Sequence, residues 1–261
     1  MSAINFQRTY HLGKEYENIK KRAIEFLGKN LEDSKLMSFD DIGKRVTFTS
    51  ERLVPVNCGK RPPVMLLFSN PHPHSIMQGM FLSANINQRE NLFWSTMRNA
   101  GWFSIPEAKH NPEDLRDMFL QVKYSGPFEL YFYCYYDFPT RYPDHIARIF
   151  GKRFFSQEIK PQANAEFRKT VQEIPFKAIV VFNKNIFNLV SDIRIRRYVV
   201  QLNKGELVQR QIREIDEGIP IFLTYPTGWC YDKEFKTLRK TSLEKIKTAI
   251  LIRAKHNNSN T

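Results

Sequence analysis

The chain has 261 residues, 42% hydrophobic and 13% aromatic, with 40 Lys+Arg against 27 Asp+Glu and a formal net charge of +13. So much apolar surface, including 21 Phe and 11 Tyr, excludes intrinsic disorder as the main state. No apolar run approaches the ~20 residues of a bilayer span, no secretory apolar core stands in MSAINFQRTYHLGKEYENIK, and the basic excess favours polyanionic partners.

In chain order, residues 14–28 place Tyr16, Ile19, Ala23, Ile24 and Leu27 at helical spacing, which predicts an amphipathic helix stopped by Gly28. Residues 47–56 read as a strand or an extended approach. Pro62-Pro63 then precedes VMLLF, a short apolar run bounded by SNPHPHS, as in a buried parallel strand that feeds a loop. Helices are predicted over 90–101, with Gly101 as the stop, and over 113–121. Residues 128–136 (FELYFYCYY) form a strand, followed by the loop DFPTRYP. A helix over 164–173 leads to a strand over 176–182. The stretches 197–202 and 206–211, around Asn203-Lys204-Gly205, read as a β-hairpin. The last core strand spans 219–224. After the loop YPTGWCYDKEFKTLRK comes a final helix over 241–255, with Thr241 or Ser242 as N-cap and Glu244 in its first turn.

Strands alternating with helices predict a three-layer α/β/α sandwich around a short, mostly parallel four-stranded sheet. Ligands of such sheets bind beyond the carboxyl ends of the strands, here the loops SNPHPHS, YDFPTRYP and TYPTGW. The expected organisation is one domain over 51–255, an N-terminal helical extension over 1–50 packed on it, and a polar tail over 256–261. Cys58, Cys134 and Cys230 are odd in number and widely spaced, which argues against a disulfide framework and a compact zinc site. A cytoplasmic setting is expected, nucleoid-associated if bacterial. Residues 233–255 carry eight Lys/Arg against Glu234 and Glu244, and Arg194, Arg196 and Arg197 form a second basic cluster.

The segment LLFSNPHPHSIMQGMFLS, followed by RENLFWSTMRNAGWF, resembles the uracil-DNA glycosylase superfamily, nearest its mismatch-specific uracil and thymine glycosylase branch. Asn70-Pro71, Phe81, Asn91-Leu92-Phe93-Trp94 and Ala100-Gly101-Trp102 carry the likeness, and FLTYPTGW with TSLEKIKTAI resembles the family's second motif. It covers roughly residues 63–255 and is specific in those two stretches. His72 stands where the family usually has Gly, Tyr225 where its most active branch has His, and Asn70 where other branches carry Asp or Glu. The stretch 184–218 is longer than the family leads one to expect.

The resemblance implies a DNA glycosylase of base excision repair. It would hydrolyse the N-glycosidic bond of uracil or a related deaminated or mismatched base after flipping the nucleotide out, at a cost of a few kcal/mol. Asn70 would position the attacking water, where orientation rather than basicity is the main contribution. Pro71, His72, Phe81 and Asn91 would line the base pocket, with Phe81 stacking on the base and backbone N–H groups of 72–75 donating to the departing anion. Thr227 and Gly228 would grip a phosphate on a DNA-binding loop fixed by Pro226, Trp229 would fill the vacated stack, and Arg239 and Lys240 would hold the DNA backbone. No Lys stands in SNPHPHS or YPTGW as a Schiff-base nucleophile, which implies a monofunctional enzyme.

His72 and His74 lack a matching Cys/Asp/Glu cluster, so no metal is expected, and no cofactor. The expected partner is duplex or single-stranded DNA; the protein is expected to be a monomer without membrane contact. Plain structural roles stand beside these: a turn at Asn70-Pro71, core packing for Phe81, Phe93 and Trp94, a strand-to-helix connection at 225–229, and a salt bridge between Asp137 and Arg141. The alternatives are a catalytically weak or inactive nucleic-acid-binding protein of the same fold, and an unrelated α/β enzyme acting on a small anion.

Overall fold

Four of the apolar runs become strands of one sheet. The computed structural model describes residues 4–27, 35–83, 90–105, 111–213, 218–227 and 233–258. Its elements are β1 (Asn5–His11), α1 (Tyr16–Leu27), β2 (Met37–Asp40), β3 (Arg45–Glu51), β4 (Pro63–Phe68), α2 (Pro73–Gln78), α3 (Leu92–Asn99), α4 (Pro112–Leu120) and β5 (Glu129–Cys134). There follow α5 (Pro143–Phe150), α6 (Lys160–Glu173), β6 (Ala178–Val181), α7 (Lys184–Val190), α8 (Tyr198–Asn203), β7 (Gln209–Gln211), β8 (Pro220–Leu223) and α9 (Lys233–Asn258). The chain divides into two compact units: 1–52, 69–83 and 134–172 form the first, and 53–68, 84–133 and 173–261 the second.

The second unit is α/β, built on a five-stranded, mostly parallel sheet in the order β5-β4-β6-β8-β7. β4, β6 and β8 run parallel, with Leu66 opposite Val180 and Val180 opposite Phe222. The four expected strands are β4, β5, β6 and β8; β7 is a fifth, antiparallel to β8, with Gln211 opposite Pro220. It comes from the stretch expected as a hairpin, whose first arm is instead the helix α8. Gly205, at φ 72, bonds its N–H back to Leu202 O at 2.9 Å, so it stops a helix where a hairpin turn was expected.

Aromatic rings fill this core. Phe68 stacks on Phe182 at 5.1 Å, Phe93 meets both edge-on, and Trp94 packs on Phe119 at 5.3 Å. Each such pair contributes ~0.5–1.5 kcal/mol beyond area burial. α9 begins earlier than expected, because nothing between Lys233 and Lys240 breaks a helix. Ser242, expected as a cap, lies inside it. Leu243, Ile246 and Ile250 form its buried stripe, and Trp102 Nε1 donates to Leu243 O at 3.1 Å.

The first unit contains an antiparallel sheet in the order β1-β3-β2, with Asn5 opposite Glu51 and His11 opposite Arg45. Residues 1–50, expected as a helical extension, thus carry three strands beside α1. Helix α1 buries Tyr16, Ile19 and Ala23 as its spacing dictates, while Ile24 is exposed. Tyr10, Phe48, Phe138 and Phe150 close a ring of contacts at 4.9, 4.8, 4.7 and 5.8 Å. Among the described residues, no helix is long and apolar enough to cross a membrane.

Candidate functional site

β4 ends at Phe68, and the next residues open the Asn-Pro loop, which belongs to the first unit. Tyr136 N–H donates to Ser69 O at 2.9 Å and Thr140 N–H to Pro71 O at 3.1 Å. The two bonds pin this loop to the one that follows β5. Half-buried Asn70 lies between them. Its Nδ2 donates to Thr140 O at 2.6 Å, Thr140 Oγ1 at 3.0 Å and Pro71 O at 3.1 Å. Its Oδ1 accepts from Ser69 Oγ at 3.0 Å. Two of the three atoms around Nδ2 are carbonyl oxygens, which only accept, so the nitrogen must face them and the oxygen is the outward end of the amide. An amide oxygen has two lone pairs, and Ser69 uses one. Thr140, 1% exposed, completes the relay by donating its hydroxyl to Tyr142 O at 2.9 Å.

Helix α2 follows at once, with Pro73 in its first turn and Gly79 as a left-handed stop at φ 71. Exposed His72 is the N-cap, and its Nδ1 accepts from His74 N–H at 3.2 Å. The expected donors to a leaving base are therefore partly spent: His74 N–H goes to His72 Nδ1, His72 N–H goes to Glu51, and Pro73 has none. Glu51, the last residue of β3, is 2% exposed, and burial pushes its carboxyl well above the usual carboxylate range. Asp137 pairs with Arg8 at 2.9 Å, where a bridge to Arg141 was expected, and Arg8 also reaches Glu166 at 3.0 Å. Burial still raises the Asp137 carboxyl, because desolvation outweighs the Arg8 charge.

Other expected base contacts take structural roles. Phe81 is 2% exposed and packs in the core of its unit, so no face of its ring is open for stacking. Pro71 is buried. Asn91 is the N-cap of α3, its Oδ1 accepting Phe93 N–H at 3.0 Å. Among the described residues, no group of His, Cys, Asp and Glu could hold a metal ion.

The second motif belongs to the other unit. Tyr225 follows β8, fully buried, and donates its hydroxyl to Asn203 Oδ1 at 2.5 Å, its ring against Phe235 at 4.8 Å. Burial raises the Tyr225 phenol, so it stays neutral. Thr224 Oγ1 and Ser242 Oγ lie 3.0 Å apart, tying the start of the loop to α9. Pro226 is exposed and Thr227 half-buried, while Gly228 and Trp229 lie outside the described residues. Arg239, expected on the DNA backbone, is 3% exposed and places its guanidinium 5.1 Å over the Phe235 ring, where it supports the fold. Lys240 is exposed and 3.5 Å from Glu244.

Sequence reasoning missed Thr140, Glu51 and Asn203. Thr140 sits in a loop already singled out, but nothing in DFPTRYP marks its hydroxyl. Asn203 lies in the long 184–218 stretch, and Glu51 at a strand end. No protein-family model and no curated protein matches the chain.

Proposed function

We propose that the chain is a monofunctional DNA glycosylase with a three-layer uracil-DNA glycosylase-like fold, removing uracil or a related deaminated or mismatched base without metal or cofactor. The observation that carries the reading is the grip on Asn70. Three acceptors fix its amide nitrogen and one lone pair of Oδ1 remains, which is how a side chain with no useful basicity orients a water beside an oxocarbenium-like sugar. The order β5-β4-β6-β8 supports it, since both motif loops then begin at carboxyl ends of parallel strands. Of the proposed DNA contacts, exposed Pro226, half-buried Thr227 and exposed Lys240 lie among the described residues. A second reading, nucleic-acid binding without hydrolysis, is favoured by one finding: the His72 and His74 N–H groups are already engaged.

The test is incubation of excess folded protein with oligonucleotides containing uracil, hypoxanthine or a mismatch, followed by alkaline cleavage. An alkali-labile site at one of them is expected. Salt-dependent binding with no cleavage at any would move the protein to the second reading, and neither binding nor cleavage would remove both.

A further inference from the structure

Two buried polar atoms of the first unit, Asn5 Oδ1 and Glu51 Oε2, have no hydrogen-bond partner. Their residues are directly opposed across β1 and β3, which puts the Cβ atoms about 4.5–5.5 Å apart on one face. Both side chains reach the same helical turn. Glu51 accepts His72 N–H, and Asn5 Nδ2 donates to Ile76 O at 2.9 Å, while Ile76 N–H returns to His72 O at 3.2 Å. Two buried, orphaned oxygens on opposed residues, half-buried Asn5 and buried Glu51, would each cost a desolvation penalty, and a single hydrogen between them satisfies both.

We propose that Glu51 is a carboxylic acid in the folded protein, donating Oε2–H to Asn5 Oδ1, and that this proton closes a clasp holding the turn after Asn70-Pro71 onto β1 and β3. The bonds run from His72 N–H to Glu51, from Glu51 O–H to Asn5, and from Asn5 Nδ2–H to Ile76 O. The surroundings favour the neutral acid. Asn5 faces it from β1 without charge. From the end of β5 comes the Cys134 thiol, which burial pushes well up and so keeps neutral. From the cap of α2 comes the His72 backbone N–H, while the exposed His72 imidazole turns its Nδ1 to His74 N–H. Arg52, next in the chain, acts on Cys134 and Asp137, and Asp137 is held by Arg8. Among the described residues no cation forms an ion pair with Glu51.

Burial raises the folded Glu51 carboxyl well above the ordinary 4.5. The clasp's contribution is therefore complete below that ordinary value and is lost as pH rises through the folded one. The clasp is a property of the chain alone. Its bearing on catalysis rests on the reading of Asn70 given above, with Glu51 as a positioning residue that touches no substrate.

The experiment is a carboxyl titration of the full chain without DNA, by infrared and carbon NMR, with Glu51→Gln for assignment. Expected is a protonated carboxyl at neutral pH that disappears in Glu51→Gln. The Asn5 side-chain amide signals should shift as Glu51 ionises and the bond to Oδ1 is lost, and stay flat in Glu51→Gln, whose amide keeps both bonds. Glu51→Gln should also match the wild-type Tm in mild acid and exceed it in mild alkali. A wild-type spectrum with no protonated carboxyl at neutral pH overturns the clasp even if the variant does not fold. So does a folded Glu51→Gln that titrates like wild type. Absence of an abasic product with the clasp present removes the glycosylase reading alone, and an ordinary Glu51 titration with product formed removes the clasp alone.

Discussion

Replacing Asn70 by Asp exchanges an amide nitrogen for an oxygen that cannot donate when ionised. Three acceptors, Thr140 O at 2.6 Å, Thr140 Oγ1 at 3.0 Å and Pro71 O at 3.1 Å, would then face a carboxylate oxygen. Thr140 Oγ1 can turn its hydroxyl toward the new group only by giving up Tyr142 O. The two carbonyls have no such choice. Leaving a buried acceptor unpaired costs ~1–3 kcal/mol, and Pro71 O keeps Thr140 N–H at 3.1 Å, so the net cost is about 2 kcal/mol. For a chain of this size that lowers Tm by roughly 4–8 °C. The sign of the pH dependence follows. Protonated, the new carboxyl donates to Thr140 O, so its folded pKa lies above the unfolded value. The variant's deficit is smallest in acid and grows as pH rises through the folded pKa. Thermal melts of wild type and Asn70→Asp across the acidic-to-neutral range check this. Equal stability at neutral pH, or a deficit that shrinks as pH rises, would refute the assigned amide orientation.

Further outcomes are expected. Tyr225→Phe removes the hydroxyl bond to Asn203 Oδ1; because Asn203 is exposed and water replaces the missing partner, denaturant melts should show a loss of only about 1 kcal/mol. Arg8→Ala leaves the Asp137 carboxyl without its 2.9 Å partner, and breaking such a pair costs up to about 3 kcal/mol. Burial already holds Asp137 above its ordinary value and losing Arg8 raises it further, so urea melts over a pH series should find the deficit least in acid and increasing toward neutrality. If DNA is the partner, replacing exposed Arg194, Arg196 and Arg197 by Ala should flatten the dependence of log K on log salt by ~0.9 for each phosphate these side chains neutralise. An unchanged slope would place that cluster off the DNA.

The sequence made the sheet legible because its four core strands are short, predominantly apolar runs with Pro or Gly close before each, and burial on both faces dictates such runs. It misled over 197–211, where Asn203-Lys204-Gly205 suits a hairpin turn and a helix stop equally. Only the pairing of Gln209–Gln211 with β8 decides between them. The early start of α9 was hidden because Thr241 and Ser242 look like caps, whereas Ser242 turns its hydroxyl to Thr224. Of the site, Asn70 and its loop were visible as a motif. Their support was not, because it comes from residues 70 positions away in sequence at Thr140 and from the strand end at Glu51. Phe81 and Arg239 are buried and Asn91 caps α3 through its Oδ1, engagements that a motif cannot reveal.

The most direct measurement is single-turnover excision by wild type and Asn70→Ala on the same lesion-bearing duplex, with binding followed on uncleaved DNA. The expected result is an abasic product from wild type and none from Asn70→Ala at matched DNA occupancy. Product formation at the wild-type rate by Asn70→Ala, or no product from either protein on any deaminated or mismatched base, would contradict the assignment.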